Sequence, residues 1–270
     1  MDAVGYDEAV YQQICDEFLE FSSRLSIPDI QFFPISALHG DNVVNQSTRM
    51  LWYKGASLLY NLEHVTVTSD YNRIDCRFPV QMVIRPQNTD YPDFRAYAGR
   101  VEGGVFKPGD TLMALPSGFT SKIKSIHAAD KLVDEAFSPM SVEICLEDNL
   151  DISRGDMLVK PNNQPNMLQD FEMIICWMHK QKAELGKKYI IRHSTNEVRC
   201  IIKEIRYKIN INTLHRFEND FEIGLNDIGK IAVRCSKPLL VDTFAKNKQT
   251  GSIILIDEFT NETIAAGMIF

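Results

Sequence analysis

Cysteines are the residues in this chain best suited to metal binding or redox chemistry, yet their spacing argues against both. They are Cys15, Cys76, Cys145, Cys176, Cys200 and Cys235. No two of them form a Cys-x-x-Cys pair, the spacing that zinc sites and redox dithiols commonly use. Most stand among apolar neighbours. We therefore interpret them as buried free thiols in a reducing compartment and predict no metal site.

Adjacent carboxylates and histidine–serine pairs are the remaining candidates for catalysis. Glu147-Asp148 and Asp134-Glu135 have the character of solvated turn residues. His193-Ser194, and Ser36 with His39, lack a third group that the sequence would place beside them. We predict no catalytic residue in the chain.

The elements that would position any site begin with residues 1–65, whose order of helix, strand, loop and helix is typical of α/β proteins. Apolar residues at helical spacing predict a helix over residues 7–25. The stripe comprises Val10, Ile14, Phe18, Phe21 and Leu25. Pro28 predicts the helix stop. The apolar run 30–35 predicts a buried strand, and residues 52–62 predict a second helix.

Beyond residue 65, short apolar runs separated by turn signals replace this order. Phe78, Val80 and Met82 alternate with other residues, as in a strand with one buried face. Turn signals recur at Glu102-Gly103-Gly104, Lys107-Pro108-Gly109-Asp110, Pro116-Ser117-Gly118 and Ser153-Arg154-Gly155-Asp156. This spacing is typical of β-barrels. With residues 160–166 as a linker, we predict the end of an α/β domain at 1–65 and β-barrel domains at 66–160 and 161–270.

Composition and charge limit the partners. The chain has 270 residues, of which 44% are hydrophobic and 24% charged, as in ordinary globular proteins. The net charge is −7, and no concentrated basic surface is evident, so we expect no nucleic-acid partner. No apolar run approaches the roughly 20 residues of a membrane-spanning helix. The N-terminus has no secretory signal, so we expect a cytoplasmic protein without a membrane partner.

Two short motifs in the first 65 residues resemble the guanine-recognition elements of translation-factor-like GTPases. Ser36-Ala37-Leu38 follows the predicted strand as the last such element does, and Met1-Asp2 resembles the end of the Asn-Lys-x-Asp motif. The resemblance implies that Asp2 accepts two hydrogen bonds from the guanine ring. It also implies that the backbone N–H beside Ala37 contacts the guanine carbonyl. The alternative is an ordinary start methionine with a solvated aspartate, and a chance tripeptide.

Longer stretches are similar to the large GTPase subunit of bacterial sulfate adenylyltransferase, the CysN type. They are Arg77-Phe78-Pro79-Val80-Gln81, Arg85-Pro86, Asp93-Phe94-Arg95, Tyr97-Ala98-Gly99, Leu115-Pro116-Ser117-Gly118, Asp151-Ile152-Ser153-Arg154-Gly155-Asp156, Gly251-Ser252-Ile253-Ile254-Leu255-Ile256-Asp257, Thr260-Asn261 and Ala266-Gly267-Met268-Ile269. The resemblance implies the C-terminal remnant of a P-loop α/β GTPase domain, followed by two elongation-factor-like β-barrel domains, II and III.

What this family does supplies the implied function. Its small subunit transfers adenylyl from ATP to sulfate, which yields adenosine phosphosulfate and pyrophosphate in sulfate assimilation. The large subunit binds GTP with Mg²⁺, and GTP hydrolysis drives the unfavourable transfer. The implied partner is therefore the small adenylyl-transferring subunit, and the implied cofactor is GTP.

The sequence departs from the family at the phosphate site. It contains no Gly-x-x-x-x-Gly-Lys-[Ser/Thr] loop, so nothing in it would hold the phosphates. We expect an N-terminally truncated chain that hydrolyses no GTP and binds it negligibly. The helix stripe would lack much of its sheet, so we expect residues 1–50 to be poorly packed.

Two other functions compete with this interpretation. One is a fragment of a translation elongation factor that binds aminoacyl-tRNA, which predicts a basic, RNA-facing surface. The other is a non-catalytic β-barrel interaction module, in which residues 1–65 could be deleted without exposing apolar surface. The acidic balance and the stretches given above favour the sulfate-activating subunit. Whether an adenosine-phosphosulfate kinase domain follows Phe270 stays open.

Overall fold

The chain divides into two compact units, Met1–Asp70 and Tyr71–Phe270. The computed structural model describes residues 1–23, 25, 27, 29–65, 72–86, 94–129, 131–217 and 219–270. Pro28 and Asp93, both used in the sequence argument, lie outside these residues. The domain boundaries expected at 65/66 and 160/161 stay predictions.

The first unit contains the helix expected near its start. A short 3₁₀ turn, Asp2–Val4, precedes helix α1, Glu8–Ser22. The Asp7 carboxylate accepts a hydrogen bond from the Ala9 backbone N–H at 2.7 Å, which satisfies one of the donors that a helix start leaves unpaired. The helix prediction is confirmed, with an end three residues earlier than expected.

Much of the apolar stripe of α1 remains exposed. Ile14 is 57% exposed and Phe18 is 44% exposed, although the Phe18 ring contacts Phe32 edge-on at 5.8 Å between centroids. The buried positions on the helix are instead Cys15 and Ser22, neither of which belongs to the predicted stripe. These exposures agree with the expected incomplete packing of residues 1–50, whose lability stays a prediction.

The strand predicted at residues 30–35 is wrong. This run has no regular secondary structure, and beyond it Ser36 and Asp41 form an isolated bridge. A strand exists through hydrogen bonds to a neighbouring strand, and the described part of the first unit supplies no such neighbour. The second helix, α2, is shorter than predicted. It spans Leu58–His64, and the Ser57 side chain caps it.

The first β-barrel occupies the beginning of the second unit. Its strands, with a small two-stranded sheet of β3 and β7, are β1 Phe78–Ile84, β2 Ala96–Arg100, β3 Val105–Phe106, β4 Thr111–Leu115, β5 Thr120–Ala128, β6 Lys131–Leu132, β7 Ala136–Phe137, β8 Ser141–Leu146 and β9 Met157–Val159. The spatial order is β4-β9-β1-β2-β8-β5, and pairing of β5 with β4 closes the barrel. Phe78, Tyr97 and Ile144 are among the side chains that fill it.

The second β-barrel follows at once. Its strands are β10 Asn166–Trp177, β11 Lys188–His193, β12 Asn196–Ile209, β13 Arg216–Phe217, β14 Ile228–Val241, β15 Ser252–Asp257 and β16 Thr263–Ile269. The order is β11-β15-β16-β10-β14-β12, and pairing of β11 with β12 closes it. Trp177, Tyr189 and Ile231 lie in its core. The prediction of two β-barrels is confirmed.

A small apolar cluster joins the two barrels. Leu115, Met157 and Val159 of the first barrel pack with Leu240 of the second. Each of these side chains is at most 8% exposed. These four buried side chains form only a small hydrophobic contact. Polar groups must therefore do much to fix how the two barrels pack together.

The polar part of the junction centres on an ion pair between Arg77, just before β1, and Asp242, just after β14. Both side chains are buried, at 0% and 2% exposure. The Arg77 Nε and Nη2 atoms donate to the two carboxylate oxygens at 2.7 and 2.9 Å, in the bidentate geometry that favours this pair. The Nη1 atom donates to the Asn163 carbonyl in the segment between the barrels at 2.6 Å.

Further groups complete the environment of Asp242. The Thr250 hydroxyl donates to the Asp242 carboxylate at 2.7 Å, and Lys246 lies 3.5 Å from it. Burial opposes the charge, but hydrogen bonds from Arg77 and Thr250 hold the pKa of Asp242 below its ordinary value. The His193 Nε2–H group donates to the Thr250 carbonyl at 2.8 Å. Burial lowers the pKa of His193.

We predict that Arg77→Ala lowers the free energy of unfolding by about 3–5 kcal/mol, because it leaves the buried Asp242 carboxylate without its main partner. Urea unfolding of the whole chain measures the change. Arg192→Ala is the control, since Arg192 pairs with Glu197 on the surface and its loss should cost less than about 1 kcal/mol. Equal losses in the two variants would contradict the prediction.

Candidate functional site

The two guanine motifs expected from the sequence meet in the first unit. The Ser36 hydroxyl donates to the Asp2 Oδ1 atom at 2.6 Å, across 34 positions of the chain. The Met1 backbone nitrogen donates to the Ile35 carbonyl at 2.7 Å, so the two segments are also held through their backbones. The structure therefore places Asp2 beside the Ser36-Ala37-Leu38 motif.

A tight turn presents the rest of that motif. The Gly40 N–H donates to the Ser36 carbonyl at 2.8 Å, and the Ser36 N–H donates to the Asp41 carbonyl at 3.2 Å. Gly40 has a φ of 76°, a conformation that glycine adopts without strain. Ser36 is fully buried at the base of the turn, whereas Ala37 and Leu38 are exposed on its outer side.

A polar network behind the turn was not expected from the sequence. The Asp41 carboxylate accepts from the Ser47 hydroxyl at 2.7 Å and from the Tyr6 hydroxyl at 3.1 Å. Arg49 donates to the Tyr6 hydroxyl at 2.6 Å and lies 3.6 Å from Asp41. Hydrogen bonds from Ser47 and Tyr6 hold the pKa of Asp41 below its ordinary value, although partial burial opposes them.

Asn42 anchors the turn to the interior of the unit. Its side chain is buried, donates to the Pro34 carbonyl at 2.8 Å and accepts from the Ser47 N–H at 2.7 Å. Its backbone carbonyl accepts from the first residue of α2, Leu58, at 2.9 Å. Asp41 and Asn42 lie three and four positions after Leu38, the last residue of the predicted motif. This polar pair directly after Gly40 is the signal that could have identified them.

Asp2 and the turn that contains Ala37 and Leu38 together form what we call the corner. It offers a ligand one acceptor, the Asp2 carboxylate, and two donors, the N–H groups of Ala37 and Leu38. The hydrogen bond from Ser36 lowers the pKa of Asp2, so its carboxylate is ionised at neutral pH. Within the described residues, the backbone N–H groups of Ala37 and Leu38 donate no hydrogen bond. A flat ligand with adjacent N–H donors and a neighbouring carbonyl oxygen would match this pattern. Over the part of the chain that the structure covers, no cluster of three or more His, Cys, Asp or Glu could hold a metal ion.

Comparison with known proteins places the chain in a family. The family model described as GTP-eEF1A C-terminal domain-like matches residues 170–270. The bifunctional enzyme CysN/CysC of Mycobacterium tuberculosis is 45% identical over 270 residues, which cover 100% of this chain and 44% of that protein. Sulfate adenylyltransferase subunit 1 of Bacteroides thetaiotaomicron is 44% identical, and the aligned residues cover 100% of this chain and 56% of that protein.

The chain belongs to the CysN, or sulfate adenylyltransferase subunit 1, family. It spans about half the length of the curated relatives that it matches. The identity extends over the first unit and both barrels, so the membership suggested by the sequence motifs is confirmed for the whole chain.

Solved structures confirm the translation-factor-like fold. Sup35 complexed with GDP matches with a TM-score of 0.66 and 18% identity, covering 98% of this chain and 65% of that one. Translation elongation factor SelB of Methanococcus maripaludis matches with a TM-score of 0.61 and 15% identity, covering 78% and 44%. At these identities the likeness concerns the fold alone. Among the described residues, no helix is long and apolar enough to cross a membrane.

We predict that Ser36→Ala raises the pKa of Asp2 towards its ordinary value of 3.8, because the hydroxyl hydrogen bond favours the ionised carboxylate. A carboxyl-carbon NMR titration measures the shift. Ser47→Ala is the matched control: it removes a hydroxyl from Asp41 and should raise the pKa of that residue while leaving Asp2 unchanged. An unchanged Asp2 in Ser36→Ala would contradict the electrostatic role given to this contact.

Proposed function

We propose that the chain is part of the GTP-dependent subunit of a sulfate adenylyltransferase and that its first unit recognises the guanine base of GTP. The contact between Asp2 and Ser36 carries the proposal, because it sets an ionised carboxylate against the turn that contains Ala37 and Leu38, whose N–H groups donate no hydrogen bond within the described residues. The similarity of the whole chain to proteins named sulfate adenylyltransferase subunit 1 supports the same assignment.

The hydrogen-bonding pattern of guanine fits this corner. Guanine presents its ring N–H and exocyclic amino group side by side, and both can donate to the Asp2 carboxylate. Its carbonyl oxygen is adjacent and can accept from the Ala37 N–H. Adenine has an acceptor ring nitrogen where guanine has its ring N–H, and an amino donor where guanine has its carbonyl oxygen. The ring nitrogen of adenine would therefore face the Asp2 carboxylate, acceptor against acceptor. The mismatch leaves charged and polar groups unpaired, which is a strong basis for discrimination.

Hydrolysis of GTP requires more than this corner. The sequence holds no loop of the Gly-x-x-x-x-Gly-Lys-[Ser/Thr] type, so none of these 270 residues forms the usual phosphate cradle with its magnesium site. The residues present fit the base end of the nucleotide and do not fit the phosphate end. We therefore assign base recognition to this chain and expect its affinity for GDP to be weaker than micromolar.

The two barrels have a proposed role in energy coupling. GTP can drive adenylyl transfer from ATP to sulfate only if its two nucleotide states differ in their interaction with the transferring partner. The Arg77–Asp242 pair and the Leu240 cluster tie the barrels together, so a movement of one carries the other. The partner that we propose for them is the small adenylyl-transferring subunit.

We predict that millimolar GMP shifts the amide NMR signals of Ala37 and Leu38, whereas AMP at the same concentration does not. Asp2→Ala should abolish the shifts because it removes the acceptor for the guanine donors. Asp16→Ala is the control, since Asp16 lies on α1 and bonds Gln12 rather than the corner. Equal shifts with GMP and AMP, or retention of the GMP shifts in Asp2→Ala, would rule out the proposed recognition.

We predict that the chain, tagged and co-expressed with the small adenylyl-transferring subunit of the same genome, retains that subunit through purification. Aminoacyl-tRNA in a parallel filter-binding assay should not be retained. The elongation-factor alternative makes the opposite pair of predictions. Retention of aminoacyl-tRNA without the small subunit would therefore replace the proposed function with that alternative.

A further inference from the structure

Two free cysteines face each other inside the second barrel. Cys200 on β12 lies directly opposite Cys235 on β14 in the antiparallel register. Both belong to the buried core cluster, at 3% and 2% exposure. The residues two positions away, Ile202 and Val233, are buried in the same cluster, so this row of both strands points into the barrel.

This register brings the two residues within the range of a disulfide. Directly opposed residues of an antiparallel pair have Cα atoms about 4.5–5.5 Å apart. A disulfide accepts Cα separations of about 4.4–6.8 Å. The two thiols also sense each other electrostatically, since Cys235 adds to the effect of burial in raising the pKa of Cys200. A bridge between them therefore needs little backbone movement.

We propose that Cys200 and Cys235 are an oxidative modification site that reacts with a peroxide to form a cross-strand disulfide. In the first step, one thiolate attacks a peroxide oxygen, the O–O bond breaks, and a sulfenic acid and hydroxide form. In the second step, the other sulfur attacks the sulfenic sulfur, and the hydroxyl group leaves as water. The two sulfurs together lose two electrons and two protons, and hydrogen peroxide becomes two water molecules.

The surroundings govern how readily this reaction occurs. The strand segments that carry the pair form part of the wall of a surface cavity of about 340 Å³, which Lys188, Arg199 and Arg234 also line. A small neutral oxidant can approach the paired strands β12 and β14 through this cavity. Burial raises the pKa of Cys235 to about 12, so the thiol form predominates at neutral pH and the reaction is slow. The site responds to sustained peroxide rather than to traces of it.

The other cysteines lack this arrangement within the described part of the chain. Cys145 on β8 lies opposite Ser125 of β5 rather than a cysteine. Cys176 on β10 lies opposite Ile228 and Ala266. The cross-strand bridge would close the chain between β12 and β14, including β13, and would restrict the unfolded ensemble. The oxidised chain is therefore expected to melt at a higher temperature than the reduced one.

The test is oxidation of the folded, fully reduced chain with hydrogen peroxide, followed by alkylation under denaturing conditions. The expected result is loss of two of the six alkylatable thiols, a mass decrease of about 2 Da and a Cys200–Cys235 peptide. Reduction should restore six thiols. Cys235→Ala should neither lose two thiols nor gain in melting temperature, whereas Cys145→Ala should still form the bridge. Six remaining thiols, a bridge between other cysteines, or oxygen addition without a bridge in the parent chain would each overturn the proposal.

Discussion

The buried ion pair of Arg77 and Asp242 is the interaction on which the arrangement of the second unit depends. Removing two charges from water costs several kcal/mol per ion, and only good geometry with further hydrogen bonds offsets that cost. Here both carboxylate oxygens are paired with the guanidinium, and Thr250 adds another donor. Because the apolar cluster around Leu240 is small, the barrels could pack there in several orientations, whereas the bidentate pair permits few.

The segment between the barrels is fixed by the same guanidinium. Its Nη1 atom bonds both the carbonyl and the side-chain oxygen of Asn163, and the Asn163 amide in turn donates to Asp75. The sequence suggested a polar linker at this place, and polar linkers are usually mobile. In the folded chain the linker is a structural part of the junction. This polar segment is held at Asn163, whose hydrogen bonds reach the buried side chains of Arg77 and Asp75.

Local patterns predicted the elements of this fold better than the contacts between them. The stripe on α1 and the alternation in β1 are periodic signals, and both elements are present. Burial along β1 does not alternate as expected, since the register shifts between Val80 and Met82 and Met82 is exposed. The run 30–35 has the composition of a strand, but a strand also requires a neighbour, which composition cannot supply. The stripe on α1 likewise predicted an apolar face without saying what would cover it. The Arg77–Asp242 pair joins residues 165 positions apart, and no periodic signal marks such a contact.

The candidate guanine corner divides in the same way. Asp2 and Ser36 were expected from motif resemblance, and their contact follows. The network of Tyr6, Asp41 and Arg49 behind them was not expected. The polar pair after Gly40 marks Asp41 in the sequence, but its contacts with Tyr6 and Arg49 leave no such pattern.

That network nevertheless determines what the corner can do. Hydrogen bonds of Asn42 and Asp41 hold the turn that carries Ala37 before any ligand arrives, so binding need not order it. Recognition of a base by three hydrogen bonds supplies little net free energy if the groups must first be arranged. A rigid corner converts those same hydrogen bonds into discrimination between bases, while tight affinity has to come from phosphate contacts. In the function that we propose, the first unit would be the element that selects the base, and the joined barrels would be the part that responds to it.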